Sequence, residues 1–201
     1  SQTELSKVLF PIGAYHKTQV RQLAKQFHLP TSDKKDSQGI CFIGKINIRE
    51  FLQNNLKSSS GNIVNAQGKI LGQHPGTIYY TIGQRAGLEI GDGHGPYYVI
   101  GKNMATNQVI VSADPDDPQL WRQTFIINQL HWTDQPLTLP SQAKVVIRSH
   151  HPAYEAQLTK LSEQTIQVDF LKPQRAITPG QVAVLYQGQE LLGSGIIDQV
   201  L

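Results

Sequence analysis

At 201 residues and 22.3 kDa, with a net charge of +3 and a pI near 8.9, the chain can hold one large or two small cores and is only lightly basic. Hydrophobic residues make up 39% and charged residues 16%, an ordinary globular composition that permits a polyanionic partner without demanding one. A single cysteine, Cys41, excludes an internal disulfide framework and Cys-rich zinc sites, and no run approaches the roughly 20 apolar residues of a membrane span.

These features fit a reducing, cytoplasmic setting without a membrane. The chain opens Ser1-Gln2-Thr3-Glu4 with no Met, which fits a fragment or a processed product.

The first element is a helix in "YHKTQVRQLAKQFHLP", where Val20, Leu23, Ala24 and Phe27 recur at i, i+3, i+4 and i+7 and Pro30 follows. Lys17, Arg21 and Lys25 share another face, read as a solvated face or, more sharply, as a phosphate-facing ridge. After "TSDKKDSQGICFIG" the segment "NIREFLQNNL" predicts a second short helix, with Asn47 and Glu50 forming a capping box.

From residue 61 the texture becomes β. "GNIVNAQGKILGQ", "GTIYYTIGQ", "PYYVIGKN" and "NQVIVSA" read as short strands in hairpins, and "ADPDDPQLW" as a linker. Six further strand-like segments follow: "QTFIINQLHW", "QAKVVIRSH", "YEAQLTKL", "TIQVDFL", "QVAVLYQG" and "LLGSGIID". Their number and spacing predict a small closed barrel or a sandwich.

Cys41 carries two readings. A free cysteine is commonly buried and inert. Lys34 and Lys35 upstream would lower a thiol pKa and raise its thiolate fraction, and Gly39 gives the segment backbone freedom. The histidines predict no metal site: His150 and His151, adjacent on a predicted strand, face opposite ways, and His74 and His94 lack companions at ligand spacing. "GDGHGP" fails the phosphate-loop spacing, with no helix after it, and reads as a hairpin loop. Arg148, on the predicted strand "KVVIRSHHP" near Lys144, offers a planar fork to phosphate or serves as a rim charge.

Taken in order, "LFPIGAYHKTQVRQLAKQFHLPTSDKKDSQGICFIG", "GQHPGTIYYTIGQRAGLEIG", "PYYVIGKN", "ITPGQVAVLY" and "LLGSGIID" resemble the bacterial tRNA-specific 2-thiouridylases over essentially the whole chain. The resemblance implies a mainly β chain with a short helical N-terminal part, a small β-rich central domain and a C-terminal six-stranded β-barrel. It places the end of a catalytic, adenylating domain with the Cys41 loop at 1–45, the central domain at 46–117 and a tRNA-binding barrel at 118–201.

It further implies ATP-dependent 2-thiolation of the wobble uridine of tRNA, with Cys41 as the catalytic persulfide carrier and a sulfur-relay protein or cysteine desulfurase as donor. Arg148, Ser149 and Gln181 are implied as tRNA-binding residues, although Ser149 stands where the family has an aromatic and His150 where it has a second Arg. ATP, with Mg, is implied to bind an N-terminal domain whose "SGGVDS"-like loop has no match here, and the second catalytic cysteine is implied to lie there too. The expectation is that this chain does not thiolate RNA alone. The alternative is a stand-alone tRNA-binding barrel without chemistry.

Overall fold

The computed structural model describes residues 1–35, 51, 55–56, 58–149 and 151–201. The chain divides into two compact units, Ser1–Lys57 and Ser58–Leu201.

The first unit holds α1 (Gln2–Leu5) and α2 (Lys17–Gln26), the second of these being the helix expected from the apolar stripe. At its start the His16 backbone N–H donates to Gln19 Oε1 at 2.8 Å, which satisfies one donor that the first turn leaves open. At its end Phe27 N–H closes onto the Leu23 carbonyl, and His28 takes a left-handed φ of 52°. Val20, Leu23 and Ala24 are half-buried and Phe27 is exposed. On the basic face, Arg21 Nη1 donates to the carbonyls of Ser32 and Lys34, and Lys25 pairs with Asp33 at 3.1 Å. These two cations brace the 31–34 turn, an arrangement that neither the solvated-face nor the phosphate-ridge reading states. The helix expected at 47–56 falls for the most part outside the described residues.

The second unit contains a four-stranded sheet and a barrel. The sheet is built from β1 (Gly61–Asn65), β2 (Ile70–His74), β3 (Tyr98–Asn103) and β4 (Gln108–Ser112), in the order β2-β1-β4-β3. The two expected hairpins, β1–β2 and β3–β4, form as antiparallel pairs. They join through a parallel β1–β4 pairing that local sequence does not announce. Ile63, Val99, Val109 and Val111 make the centre of its core, covered by Tyr80 and Leu88 from the long connection before β3.

That connection corrects two expectations. "GTIYYTIGQ" forms no strand: Thr77–Tyr79 is one 3-10 turn, and Tyr80 drops into the core edge-on to His74, ring centroids 5.6 Å apart. Its β-branched and aromatic residues plug a core instead of extending a ladder. "GDGHGP" is not a hairpin loop either, because no strand precedes it. It is held instead by Asp92, which accepts from the Tyr97 hydroxyl at 2.6 Å and from His94 N–H at 3.0 Å.

His74 is 2% exposed; its Nε2 meets the Asn107 carbonyl at 3.2 Å, and its Nδ1 has no hydrogen-bond partner. Burial pushes its pKa below the ordinary 6.5, with the Asn107 carbonyl opposing in part. The unfolded chain therefore binds the His74 proton more readily than the folded one. Stability contributed by the neutral ring is complete above pH 6.5 and is lost as pH falls below it. Urea unfolding followed downward through that range is expected to show a falling midpoint, and His74→Leu should flatten the fall. An unchanged slope in the variant would remove His74 as its source.

The supposed linker before the barrel is ordered. Asp117 caps a 3-10 turn at Pro118–Leu120 by accepting from Gln119 N–H at 2.9 Å, and Leu120 is fully buried. All six expected strands then appear: β5 (Trp121–Trp132), β6 (Ser141–Val146), β7 (Tyr154–Lys160), β8 (Ile166–Arg175), β9 (Val182–Gln187) and β10 (Glu190–Val200). They form a closed barrel in the order β10-β5-β8-β7-β6-β9, every pairing antiparallel, so no strand edge is left open. Alternation puts Phe125, Ile127, Val145, Leu158, Val168, Phe170, Leu185 and Ile197 inside. Each such side chain contributes about 1.5–3 kcal/mol by leaving water.

Candidate nucleic-acid interface

β6 ends at Val146, so the expectation that Arg148 and His151 lie on a strand is corrected. They form a turn closed by His151 N–H donating to the Arg148 carbonyl at 3.1 Å. Inside–outside alternation nevertheless continues through buried Ile147 to half-buried Arg148, and it breaks at Ser149, which is exposed.

The turn from β8 to β9 comes to meet it. Ala176 adopts a left-handed φ of 58° and Gly180 one of 86°, reversing the chain within 176–181. Gln181 is pinned from both sides, because Ile197 N–H donates to its carbonyl and its own N–H reaches the Thr178 carbonyl.

Two of the expected RNA-contact residues are thereby joined: Arg148 Nε donates to Gln181 Oε1 at 3.1 Å. Arg148 Nη2 donates to the Ala176 carbonyl at 3.0 Å, the Thr178 hydroxyl at 3.2 Å and the Ile82 carbonyl at 3.0 Å. The last acceptor belongs to the sheet's long connection, so one guanidinium ties sheet to barrel. The approach is close. A Cβ on Gly83 would lie 2.7 Å from Ala176 Cβ, and Gly83 has a φ of +81°. Only glycine fits there without strain.

The charge at this junction is unbalanced. Burial pulls the Arg148 pKa below the usual arginine range, and the nearby Arg175 charge adds to the shift. Arg175 donates to the Pro115 carbonyl at 3.3 Å and lies 5.3 Å from the centroid of the Tyr98 ring. Among the described residues neither guanidinium has a carboxylate partner. An arginine stays charged in a protein, so the junction presents two cations held by neutral dipoles, an arrangement that attracts an anion.

Beside it the outer wall of the barrel is hollowed into a cavity of about 490 Å³, lined by Val146, Arg148, Ser149, His151, Val182, Val184 and Tyr186. Of the residues gathered here, residue type singles out Arg148 and the resemblance adds Ser149 and Gln181, while the Ile82 carbonyl, the Thr178 hydroxyl and Tyr186 go unforeseen. The alternation in "QVAVLY" is the one signal for Tyr186, since it places Val182, Val184 and Tyr186 outward together.

Cys41 and His150 lie outside the described residues. No group of three or more His, Cys, Asp or Glu that could hold a metal occurs among the described residues, and no helix there is long and apolar enough to cross a membrane. The described residues do not fit the phosphates of ATP: α2 is entered from Gly13-Ala14-Tyr15-His16 rather than a glycine-rich loop, and the glycines of 91–96 run into β3.

A four-stranded sheet and a closed six-stranded barrel thus meet at a cationic junction, and comparison with known proteins shows which family builds them in this order. Residues 1–45 match the tRNA methyl transferase HUP domain model, 49–113 the tRNA methyl transferase PRC-barrel domain model, and 122–197 the aminomethyltransferase beta-barrel domain model. The tRNA-specific 2-thiouridylase MnmA of Shewanella oneidensis is 42% identical over 206 aligned positions, which cover 100% of this chain and 55% of that protein. The Chlamydia pneumoniae protein of the same name is 43% identical, covering 98% and 55%, and that of Yersinia pestis 40%, covering 99% and 55%. The chain belongs to the tRNA-specific 2-thiouridylase family. It spans about half the length of the curated relatives it matches.

Proposed function

We propose that this chain is the part of a tRNA-specific 2-thiouridylase that carries sulfur on Cys41 and grips tRNA with its barrel. The observation that carries the reading is similarity at 40–43% identity along 98–100% of the chain. The domain models are described in terms of methyl transfer and the relatives in terms of thiolation. We take thiolation, because the "DSQGICFIG" block supplies a thiol that methyl transfer does not need.

In this reading Cys41 receives sulfur as a persulfide from a relay protein or a cysteine desulfurase. The outer sulfur is the nucleophile for C2 of the wobble uridine, from which the C2 oxygen departs in the activated form that ATP would supply. Its bond to Cys41 must then break, and the second thiol that breaks it comes from elsewhere, because these 201 residues hold one cysteine. Activation of the uridine oxygen belongs to ATP with its magnesium ion, and no step of it is assigned to the described residues. This chain alone is therefore inactive in thiolation, in a reading that is also cytoplasmic.

Arg148, Ser149 and Gln181 form the tRNA contact. Gln181 orients the guanidinium, the neutral acceptors leave its charge uncancelled, and Ser149 adds an exposed hydroxyl beside it. Phosphate contacts of this kind position an RNA without reading its sequence.

The test is binding of an unfractionated tRNA pool to the 201-residue chain at increasing salt. The logarithm of the affinity should fall linearly with the logarithm of salt, by about 0.7–0.9 per phosphate neutralised. Absent or salt-independent binding would overturn the RNA-gripping role.

A further inference from the structure

The outer wall of a small barrel in water should be polar, and most of this one is. β7 shows Glu155, Gln157 and Thr159 outward and β8 shows Gln167 and Asp169, alternating with buried Ala156, Leu158, Val168 and Phe170. The β6–β9 seam departs from this pattern. β9 turns Val182, Val184 and Tyr186 outward, and Val146 stands opposite Val184 on β6, with Lys144 opposite Tyr186.

Val182 is 47% exposed, and no part of the described chain covers the stripe. These are the apolar side chains that line the 490 Å³ cavity, together with Ser149, His151 and Arg148. The lining contains no carboxylate. Lys144 is held at the side by Glu155 at 3.6 Å.

A lining that combines apolar side chains, one aromatic ring, a hydroxyl, an imidazole and a guanidinium matches one nucleotide of an RNA strand. An unstacked base lies against aromatic and aliphatic surface, its edge meets hydrogen-bonding groups, and its phosphate meets an arginine. The absence of acid in the lining favours such a polyanion over a cationic or acid-binding partner.

We propose that the β6–β9 cavity binds a single extruded base of the tRNA, stacked on Tyr186 and walled by Val146, Val182 and Val184, while Ser149 and His151 contact its edge. This rests on the barrel gripping tRNA and adds a base-binding pocket to a contact otherwise made with phosphate.

The experiment measures affinity of the 201-residue chain for the same tRNA pool across a salt series, in wild type and in Tyr186→Ala, Tyr186→Phe and Val184→Glu. Tyr186→Ala is expected to weaken binding about ten-fold or more with the salt slope unchanged, because stacking releases no counterions. Tyr186→Phe should bind as wild type does, since the ring persists. Val184→Glu, on the outer wall, should weaken binding without touching the core, and it decides the matter if Tyr186→Ala unfolds.

Wild-type binding with unaltered affinity in the folded variants would overturn the pocket while leaving the gripping role intact. No wild-type binding would overturn both. Sedimentation showing a wild-type dimer that Val184→Glu dissociates, with tRNA affinity unchanged, would assign the stripe to a second copy of the chain and also overturn the proposal.

Discussion

Replacing Arg148 with alanine is expected to destabilise the Ser58–Leu201 unit by about 3 kcal/mol, because it strands several half-buried acceptors at once. The Ile82 and Ala176 carbonyls, the Thr178 hydroxyl and the Gln181 amide oxygen all take hydrogen bonds from this one guanidinium. Thr178 also donates to the Ala176 carbonyl at 2.9 Å, so that carbonyl keeps a partner, whereas the Ile82 carbonyl has no other hydrogen bond described. The loss therefore falls chiefly on the link between the sheet's long connection and the barrel.

Arg148→Lys separates charge from geometry. An ammonium keeps the positive charge but lacks the planar fork that reaches two connections at once. It is expected to recover most of the salt dependence of tRNA binding and little of the lost stability. The alanine variant should lower the salt slope by about one phosphate. Urea midpoints and salt titrations on the two variants check both. An alanine variant as stable as wild type would mean that the guanidinium does not hold the junction.

The six barrel strands were legible because they alternate inside and outside over most of their length, a pattern that fits a sandwich as well as the closed barrel that forms. "QVAVLYQG" and "TIQVDFL" state it residue by residue, whereas closure rests on the β9–β10 and β5–β10 pairings, which no single segment states. The parallel β1–β4 pairing was not legible, since it depends on a register between residues some 46 positions apart, Asn62 opposite Gln108. "GTIYYTIGQ" misled for a related reason: the composition that suits a ladder also suits a plug, and only the position of Tyr80 over His74 decides between them.

At the site, residue type pointed to Arg148 and the family resemblance to Gln181, yet their mutual hydrogen bond spans 33 positions and the contact to Ile82 spans 66. Backbone carbonyls carry no signature in a sequence. The strand expected through Arg148 ends early at Val146, because the chain must turn there to bring the guanidinium under the 176–181 reversal.

The largest expected effect of all is that of Cys41→Ser in the whole enzyme. A serine hydroxyl cannot form a persulfide, so it cannot accept sulfur from a donor or present it as a nucleophile. No other residue of this chain can take over, because Cys41 is its only cysteine. Binding of tRNA by the barrel should be unaffected, which separates loss of chemistry from loss of substrate. The decisive measurement is the wobble 2-thiouridine content, by mass spectrometry, of tRNA from cells whose only copy of the whole enzyme carries Cys41→Ser. The account predicts that it falls to background while the tRNA affinity of the variant chain matches wild type. Undiminished 2-thiouridine would contradict the role assigned to Cys41 and leave the chain as an RNA-binding module alone.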